Sequence, residues 1–142
     1  MFAKQLSVFI ENRQGRLGEV LGVLKDNGVN ILSLSLADTT EYGLLRLIVN
    51  DPAEGKQRLA EAGFSSLLSD VLVIEIPHTA GSLQRLLKEM ESRNVSVEYM
   101  YGLSLAGEKA YVVLKASDLC VAAEAAEACG VNTVSNDHLT TI

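Results

Sequence analysis

Apolar and polar residues follow two patterns along the chain. Residues 6–10 form a strand-like run, and the apolar residues after them have the three-and-four spacing of a helix with one apolar face. That helix face consists of Leu17, Val20, Leu21 and Leu24. Residues 12–17 lie between the two patterns, so they are predicted to form a strand-to-helix turn. Gly15 allows close approach of the backbone, and the first amides of the helix lack intrahelical partners, so the turn can hold a carboxylate or a phosphate.

The same order of patterns occurs a second time, 66 positions later (81 minus 15). Residues 72–76 form the strand, Gly81 occupies the turn, and a helix face follows. The match continues beyond the helix, because residues 28–31 correspond to residues 94–97. A correspondence that runs through six elements indicates a duplication.

Two domains are therefore predicted, residues 1–69 and residues 70–142, with residues 69 and 70 as the candidate hinge. Each reads strand, helix, strand, strand, helix, strand. Residues 38–42, between the second and third strands, are too few for the helix that a doubly wound parallel sheet needs. The predicted fold class is α+β: two ferredoxin-like βαββαβ repeats with antiparallel sheets, with the helices on one face, joined edge to edge.

Local signals mark the ends of the helices. Gly28 is expected to close the first helix in a left-handed conformation. The second helix is expected to begin with an N-cap at Asp51, followed by Pro52 at the first helical position and Glu54 at the third. Gly63 is expected to end this helix.

Composition excludes several classes of function. The chain has 12 basic and 18 acidic residues and a net charge of −6, the wrong sign for nucleic acid or for an anionic membrane surface. No apolar run approaches the roughly 20 residues of a membrane span, and a cytoplasmic location is expected. Cys120 and Cys129 lie too far apart in one helix for a disulfide. The two histidines, His78 and His138, have no metal-ligand spacing, so neither a metal nor another cofactor is expected.

Residues 12–17, followed by Gly28-Val29-Asn30-Ile31, resemble the signature of the ACT domain, a small-molecule sensor attached to many enzymes of amino-acid metabolism. They are similar in particular to the serine-sensing form in phosphoglycerate dehydrogenases. The resemblance covers nearly the whole chain, twice, and includes no catalytic domain. It implies a free-standing tandem ACT protein without enzymatic activity, which holds an amino acid where two ACT units meet through their second strands.

The resemblance also implies two crossed sites, each between the turn of one repeat and the second strand of the other. The first consists of Asn12, Arg13, Gln14, Gly15, Arg16 and Leu17 with Ser96 and Glu98. The second consists of His78, Ala80, Gly81, Ser82 and Leu83 with Asn30 and Leu32. Gln14 and Ala80 stand where the family commonly has proline, and Ser96 stands where it has asparagine, so the two sites are expected to differ. Helix amides suit the carboxylate of an amino acid, and Glu98 suits its ammonium group.

Several of these residues have simpler structural roles as alternatives. Asn12 and Gly15 can serve only to shape the turn, and Asn30 can cap the first helix locally. Arg13 and Arg16 can be exposed charges instead of anion ligands.

The remaining candidates have alternatives of the same kind. His78 can be a solvated loop residue. Tyr99 and Tyr101 share one strand face, so they can pack in the fold instead of stacking on a ligand.

The predicted function is regulatory binding of an amino acid, with a metabolic enzyme as a second partner. Edge strands and an uncovered sheet face favour a homodimer. One alternative is a regulatory subunit that binds an enzyme without a small molecule. Another is an acylphosphatase-like enzyme, in which Arg13 or Arg16 grips phosphate and Asn30 orients water.

Overall fold

The computed structural model describes residues 2–11, 14–38, 42–77, 81–103, 110–136 and 139, which contain seven strands and four helices. They form two units. The N-terminal unit is Lys4–Ser69, and the C-terminal unit is Asp70–Ile142 together with Met1–Ala3.

Both units follow the order strand, helix, strand, strand, helix, strand. The elements of the N-terminal unit are β1 (Ala3–Glu11), α1 (Arg16–Asp26), β2 (Ile31–Asp38), β3 (Tyr42–Val49), α2 (Pro52–Glu61) and the beginning of β4 (Ser66–Ile76). Those of the C-terminal unit are the remainder of β4, α3 (Ser82–Ser92), β5 (Val97–Leu103), β6 (Ala110–Ala116), α4 (Leu119–Ala128) and β7 (Asn132–Thr133). The element order predicted for both repeats is confirmed.

Each unit has the strand order of a ferredoxin-like sheet. In the N-terminal unit the order is β2-β3-β1-β4, and β3 runs antiparallel to β1 and to β2. In the C-terminal unit the order is β5-β6-β4-β7, and all three pairs are antiparallel. The first and third strands lie in the middle of each sheet because each helix returns the chain across it. The predicted α+β class is confirmed.

Each unit has its own core between the sheet and its helices. In the N-terminal unit, Leu6, Val8 and Ile10 alternate along β1 and face the helices. Leu24 of α1 and Leu59 of α2 belong to the same cluster and are fully buried. The corresponding cluster of the C-terminal unit includes Leu72, Ile74, Ile76, Leu86, Met90, Ala122 and Ala126. Both helices of each unit therefore lie on one face of its sheet, as predicted.

Three residues on the sheet faces turned away from the helices are also buried. Ile48 of β3, Val73 of β4 and Val113 of β6 are fully buried but belong to neither helix-facing cluster. Val73 pairs with Val113, so the two side chains lie on the same face. The expectation of an uncovered sheet face is therefore wrong at these positions of β3, β4 and β6, whereas Phe9, on the same side of β1, is 41% exposed.

β4 is a continuous strand through residues 69 and 70, where the sequence suggested a hinge. Leu68 packs against the core of the N-terminal unit, and Leu72 belongs to the core of the C-terminal unit. The carbonyl of Asp70 accepts a hydrogen bond of 3.1 Å from Lys115 Nζ. Residues 66–76 contain neither glycine nor proline, so the backbone has no local reason to turn.

The second helix of each unit begins with the same cap. Asp51 Oδ1 accepts a hydrogen bond from the Glu54 amide, and Asp118 Oδ1 accepts one from the Val121 amide, each at 3.1 Å. The N-cap predicted at Asp51 is confirmed. The Glu54 carboxylate accepts from Arg58 Nε at 2.7 Å, and this hydrogen bond raises the pKa of the Arg58 guanidinium above its ordinary value.

Two helical glycines provide a matched test of how closely α2 packs on the core. A Cβ at Gly55 would lie 3.1 Å from Leu6 Cδ2 and 3.5 Å from Leu24 Cδ2, whereas a Cβ at Gly22 of α1 would meet nothing within 4 Å. We expect Gly55→Val to lower the free energy of unfolding by about 1–3 kcal/mol through overpacking. Gly22→Val should change it by no more than about 0.5 kcal/mol, because valine and glycine differ little in helix propensity.

Urea unfolding followed by circular dichroism measures both values. Equal effects of the two substitutions would contradict the close packing of α2.

Candidate functional site

Each unit enters its first helix through a glycine in the left-handed conformation. Gly15 has a φ of 89° before α1, and Gly81 has a φ of 86° before α3. The first intrahelical hydrogen bonds run from the Glu19 amide to the Gly15 carbonyl (3.0 Å) and from the Arg85 amide to the Gly81 carbonyl (2.9 Å). The three amides that precede each of these donors lie outside the helical ladder, and glycine has no side chain to cap them. Both turns thus present the positive end of a helix.

The side chains of the two turns have different environments. Gln14 is exposed. Leu17 and Leu83 pack against the cores of their units, and Ser82 is buried. The backbone amides of Leu17, Ser82 and Leu83 can donate to a ligand, but their side chains pack inside the protein. The other turn residues predicted to bind, Asn12, Arg13, His78 and Ala80, lie outside the described residues.

Arg16 is not the exposed charge that the simpler alternative expects. Its guanidinium carbon lies 4.3 Å from the centre of the Phe64 ring, and its Nη1 donates to Glu19 Oε2 at 2.7 Å. The side chain is only 19% exposed. Its Nε is buried, and none of the residues whose positions are described accepts a hydrogen bond from it. Arg16 therefore has a buried donor close to the turn, with no acceptor in the described part of the chain.

The predicted second-strand residues lie at the beginnings of β2 and β5. Over the described ranges, β2 pairs only with β3 and β5 only with β6, so each is an edge strand of its unit. The register shifts at Leu32 in β2 and at Glu98 in β5, which are equivalent positions of the two repeats (98 minus 32 is 66). Such an irregularity changes the direction of one side chain relative to the regular ladder. Leu32 is half-buried and Glu98 is exposed.

A reciprocal pair of hydrogen bonds fixes the entrance to each of these strands. The Asn30 amide donates to Asn50 Oδ1 at 2.9 Å, and the Asn50 amide donates to the Asn30 carbonyl at 3.1 Å. In the C-terminal unit the Ser96 amide donates to Ser117 Oγ at 3.1 Å, and the Ser117 amide donates to the Ser96 carbonyl at 2.9 Å. Sequence reasoning missed Asn50 and Ser117. The available signal was a polar residue immediately before each aspartate N-cap, repeated 67 positions apart (117 minus 50).

The side chain of Asn30 takes no part in these bonds. It is exposed, and no hydrogen-bond partner for it occurs among the residues that the structure describes. The alternative that Asn30 caps the first helix is wrong, because Asn27 does so by donating from Nδ2 to the Val23 carbonyl at 2.8 Å. Gly28, with a φ of 70°, follows Asn27 in the left-handed conformation predicted for it.

Helix α1 separates the turn of its repeat from the entrance to β2. The helix has 11 residues, so its ends lie about 16 Å apart at 1.5 Å per residue. Gly15 precedes one end, and Asn30 follows the other. One repeat therefore cannot bring its own turn at Gly15 and its own Asn30 to a single amino acid. Arg16 and Asn30 are separated in the same way, so they do not form the arginine and asparagine pair of an acylphosphatase-like site.

The remaining candidate residues either pack in the fold or form no metal site within the described positions. The rings of Tyr99 and Tyr101 stack on each other, with centroids 6.5 Å apart and planes at 15°, which favours the packing alternative. Cys120 and Cys129 are free thiols. Across the described positions, no group of three or more His, Cys, Asp or Glu residues is placed to hold a metal ion. No helix in this part of the chain is both long and apolar enough to cross a membrane.

Residues 1–142 match the family model of the ACT domain pair. The chain belongs to the ACT domain family. Protein BT0572 from Bacteroides thetaiotaomicron is 33% identical in sequence and superposes with a TM-score of 0.92, covering 100% of this chain and 98% of that chain. No curated protein matches the sequence at a significant level.

Two regulatory subunits of aspartate kinase share the ACT pair's fold at low sequence identity. The one from Thermus thermophilus is 15% identical with a TM-score of 0.62, covering 89% of this chain and 91% of that chain. The one from Thermus flavus is 16% identical with a TM-score of 0.58, covering 89% of this chain and 92% of that chain. The resemblance seen in residues 12–17 and 28–31 is thus confirmed as membership of the ACT family, with a domain pair that accounts for all 142 residues.

The left-handed turns can be tested by their cost in stability. We expect Gly15→Ala and Gly81→Ala each to lower the free energy of unfolding by about 1–2 kcal/mol, because both glycines have a positive φ that is unfavourable for alanine. Gly18→Ala is the matched control, because Gly18 lies inside α1 with open space around it and should gain up to about 1 kcal/mol.

Chemical denaturation of the three variants measures these differences. If Gly18→Ala lowered the free energy of unfolding as much as Gly15→Ala does, the added methyl group itself, and not the positive φ of Gly15, would account for the loss.

Proposed function

We propose that this ACT pair is a regulatory protein that binds an amino acid and has no catalytic activity of its own. In this proposal residues 1–69 and residues 70–142 are the two ACT repeats. The observation that carries it is the separation of the turn from the second strand by α1, about 16 Å at 11 residues. A ligand that contacts both elements must be held by the turn of one repeat and the second strand of another, which is the crossed arrangement implied by the family.

The chemistry of the two elements suits an amino-acid zwitterion. The helix amides beyond Gly15 and Gly81 can donate to a carboxylate, and the exposed side chains of Asn30 and Ser96 can supply further polar contacts. A micromolar ligand needs about −8 kcal/mol, and each such contact supplies about 1 kcal/mol, so several contacts and burial of the ligand side chain are required.

The two crossed sites differ in their ability to hold an ammonium group. Glu98 lies exposed at the register shift of β5, whereas the half-buried Leu32 occupies the equivalent position of β2. A carboxylate can pair with the ammonium, and a leucine cannot. We therefore assign the preferred site to residues 12–17 with Ser96 and Glu98, and expect weaker binding at residues 78–83 with Asn30 and Leu32.

The edges of the two sheets support a homodimer. Leu34 and Leu36 of the edge strand β2 are each 49% exposed, although they face the same side of the sheet as the buried core residues Leu47 and Leu45, with which they pair. A second copy that adds its strand to this edge removes the leucines from water and pairs the open ladder. In such a dimer, one chain can supply the turn of a ligand site and the other chain can supply its second strand.

A regulatory subunit that acts without a small molecule is the second candidate. The exposed leucines of β2 favour it, because an apolar strand edge can receive an enzyme as well as a second copy. The fold shared with regulatory subunits of aspartate kinase supports a metabolic enzyme as the partner in either case.

Ligand binding is tested by a thermal-shift screen of the full chain against the twenty amino acids. At 100 times its dissociation constant the ligand should stabilise the protein by about 2.7 kcal/mol, which corresponds to a rise of several degrees in Tm. Ser96→Ala should reduce the rise if the first crossed site is occupied, and Asn30→Ala should reduce it if the second is.

The control is Asn27→Ala, which removes the bond to the Val23 carbonyl and should lower the Tm without changing the shift that the ligand causes. No response to any amino acid at millimolar concentration would favour the ligand-independent subunit. A full response in both Ser96→Ala and Asn30→Ala would overturn the crossed sites.

The dimer is tested separately by light scattering after size-exclusion chromatography. We expect twice the chain mass of 15.3 kDa for the unaltered protein and a monomer for Leu34→Glu combined with Leu36→Glu, because two charges at the edge oppose its burial. Leu67→Glu, which changes another exposed leucine of the same unit, is the control that should remain dimeric. A monomeric unaltered protein would contradict the proposed dimer.

A further inference from the structure

The N-terminal unit contains a cleft that shares only Arg16 with the proposed crossed sites. Its volume is about 220 Å³, and it lies where β1 ends, β3 begins and the chain approaches β4. Six of its lining residues carry the argument: Phe9, Glu11, Arg16, Tyr42, Phe64 and Ser65. The volume lies below the roughly 300 Å³ at which pockets for drug-sized ligands begin, so the cleft suits a molecule of amino-acid size.

Aromatic side chains are concentrated in this cleft. The chain has three phenylalanines and four tyrosines, and three of these seven residues line it. Phe9 is 41% exposed and Tyr42 is 48% exposed, whereas Phe64 is buried beneath the Arg16 guanidinium. Exposed aromatic rings around a concave surface lose contact with water when an apolar or aromatic group enters.

The walls of the cleft are held in place by the sheet. Glu11 pairs directly with Tyr42 across β1 and β3, and Phe9 lies two residues before Glu11 on the same face. The Phe9 amide donates to the Ser65 carbonyl at 3.0 Å, which holds β1 against the chain that enters β4. A ligand would therefore meet a preformed surface.

Two opposite charges line the same cleft. Arg16 contributes a guanidinium whose plane is supported by Phe64 and whose Nη1 is oriented by Glu19, and it still has a buried Nε without an acceptor in the described part of the chain. Glu11 contributes a carboxylate. An arginine and a carboxylate in one small cleft match the two charges of an amino acid, and the planar guanidinium is suited to a carboxylate.

The second repeat lacks this combination of residues. Phe9, Glu11 and Arg16 correspond to Glu75, Pro77 and Ser82, each 66 positions later, and Phe64 corresponds to Val131, 67 positions later after one inserted residue. The duplication retained the glycine turns and the aspartate caps, so the fold does not require the cleft residues. Their presence in one repeat alone indicates a local function.

We infer that this cleft binds an amino acid with an aromatic side chain. The carboxylate of the ligand contacts Arg16, which Phe64 supports from the helix side, its ammonium contacts Glu11, and its ring packs against Phe9 and Tyr42. The cleft lies within one unit and shares Arg16 with the first crossed site, but it uses Tyr42 and neither Asn30 nor Ser96, so substitutions at these three residues distinguish the cleft from the crossed sites.

Isothermal titration of the full chain with L-phenylalanine tests the inference. Binding should be at least tenfold weaker for 3-phenylpropionate, which lacks the ammonium group, and for 2-phenylethylamine, which lacks the carboxylate. Tyr42→Ala should weaken L-phenylalanine binding at least tenfold, and so should Arg16→Ser, which introduces the residue of the second repeat. Leu67→Ala, an exposed apolar residue of the same unit outside the cleft, should change the dissociation constant less than twofold.

Circular dichroism identifies a variant that fails to fold, and Tyr42→Ala is the decisive one because about half of that side chain is already exposed. Absence of binding by L-phenylalanine, L-tyrosine and L-tryptophan at 10 mM, a concentration about tenfold above a millimolar dissociation constant, would overturn the inference. Binding that survives Tyr42→Ala but is lost in Asn30→Ala or Ser96→Ala would place the ligand in a crossed site and also overturn it.

Discussion

The fixed length of α1 is the constraint on which the functional organisation depends. Its 11 residues hold the turn at Gly15 and the entrance to β2 at opposite ends, about 16 Å apart. Both ends are defined by backbone conformation, because Gly15 and Gly28 have positive φ angles. No amino-acid ligand spans this distance, so the proposed crossed sites require a turn and a second strand from different repeats.

The two repeats retained their backbone geometry and diverged in their side-chain chemistry. The aspartate caps and the reciprocal bonds at the entrances to β2 and β5 occur in both units with closely similar distances. Leu32 of one repeat is Glu98 of the other, and Arg16 is Ser82. Backbone geometry is needed for folding in both repeats, whereas a binding site needs to exist only once. The result is two repeats with similar backbones and different side-chain chemistry.

Arg16 connects the turn with the rest of its repeat. It follows Gly15 directly, stacks on Phe64 at the approach to β4 and pairs with Glu19 on α1. Its buried Nε has no acceptor among the described residues. Arg16 thus lies where the turn, α1 and the aromatic cleft meet.

The sequence by itself determined the features that depend on near neighbours in the chain. Alternation and three-and-four spacing predicted the order of all the major elements, Asp51 and Gly28 predicted their helix ends, and the 66-residue offset predicted the duplication. These signals are reliable because an N-cap, a left-handed glycine and an amphipathic period act within a few residues. The ACT signature, being local as well, identified the turns and the second strands as candidate sites.

The tertiary structure alone decided which distant residues meet. It placed Asn50 against Asn30 and Arg16 over Phe64, and it buried or half-buried the side chains of Leu17, Ser82 and Leu83. It also buried Ile48, Val73 and Val113 and extended β4 through residues 69 and 70. Periodicity shows which face of an element is apolar but not what will cover it, because the covering residues lie tens of positions away and are selected by packing.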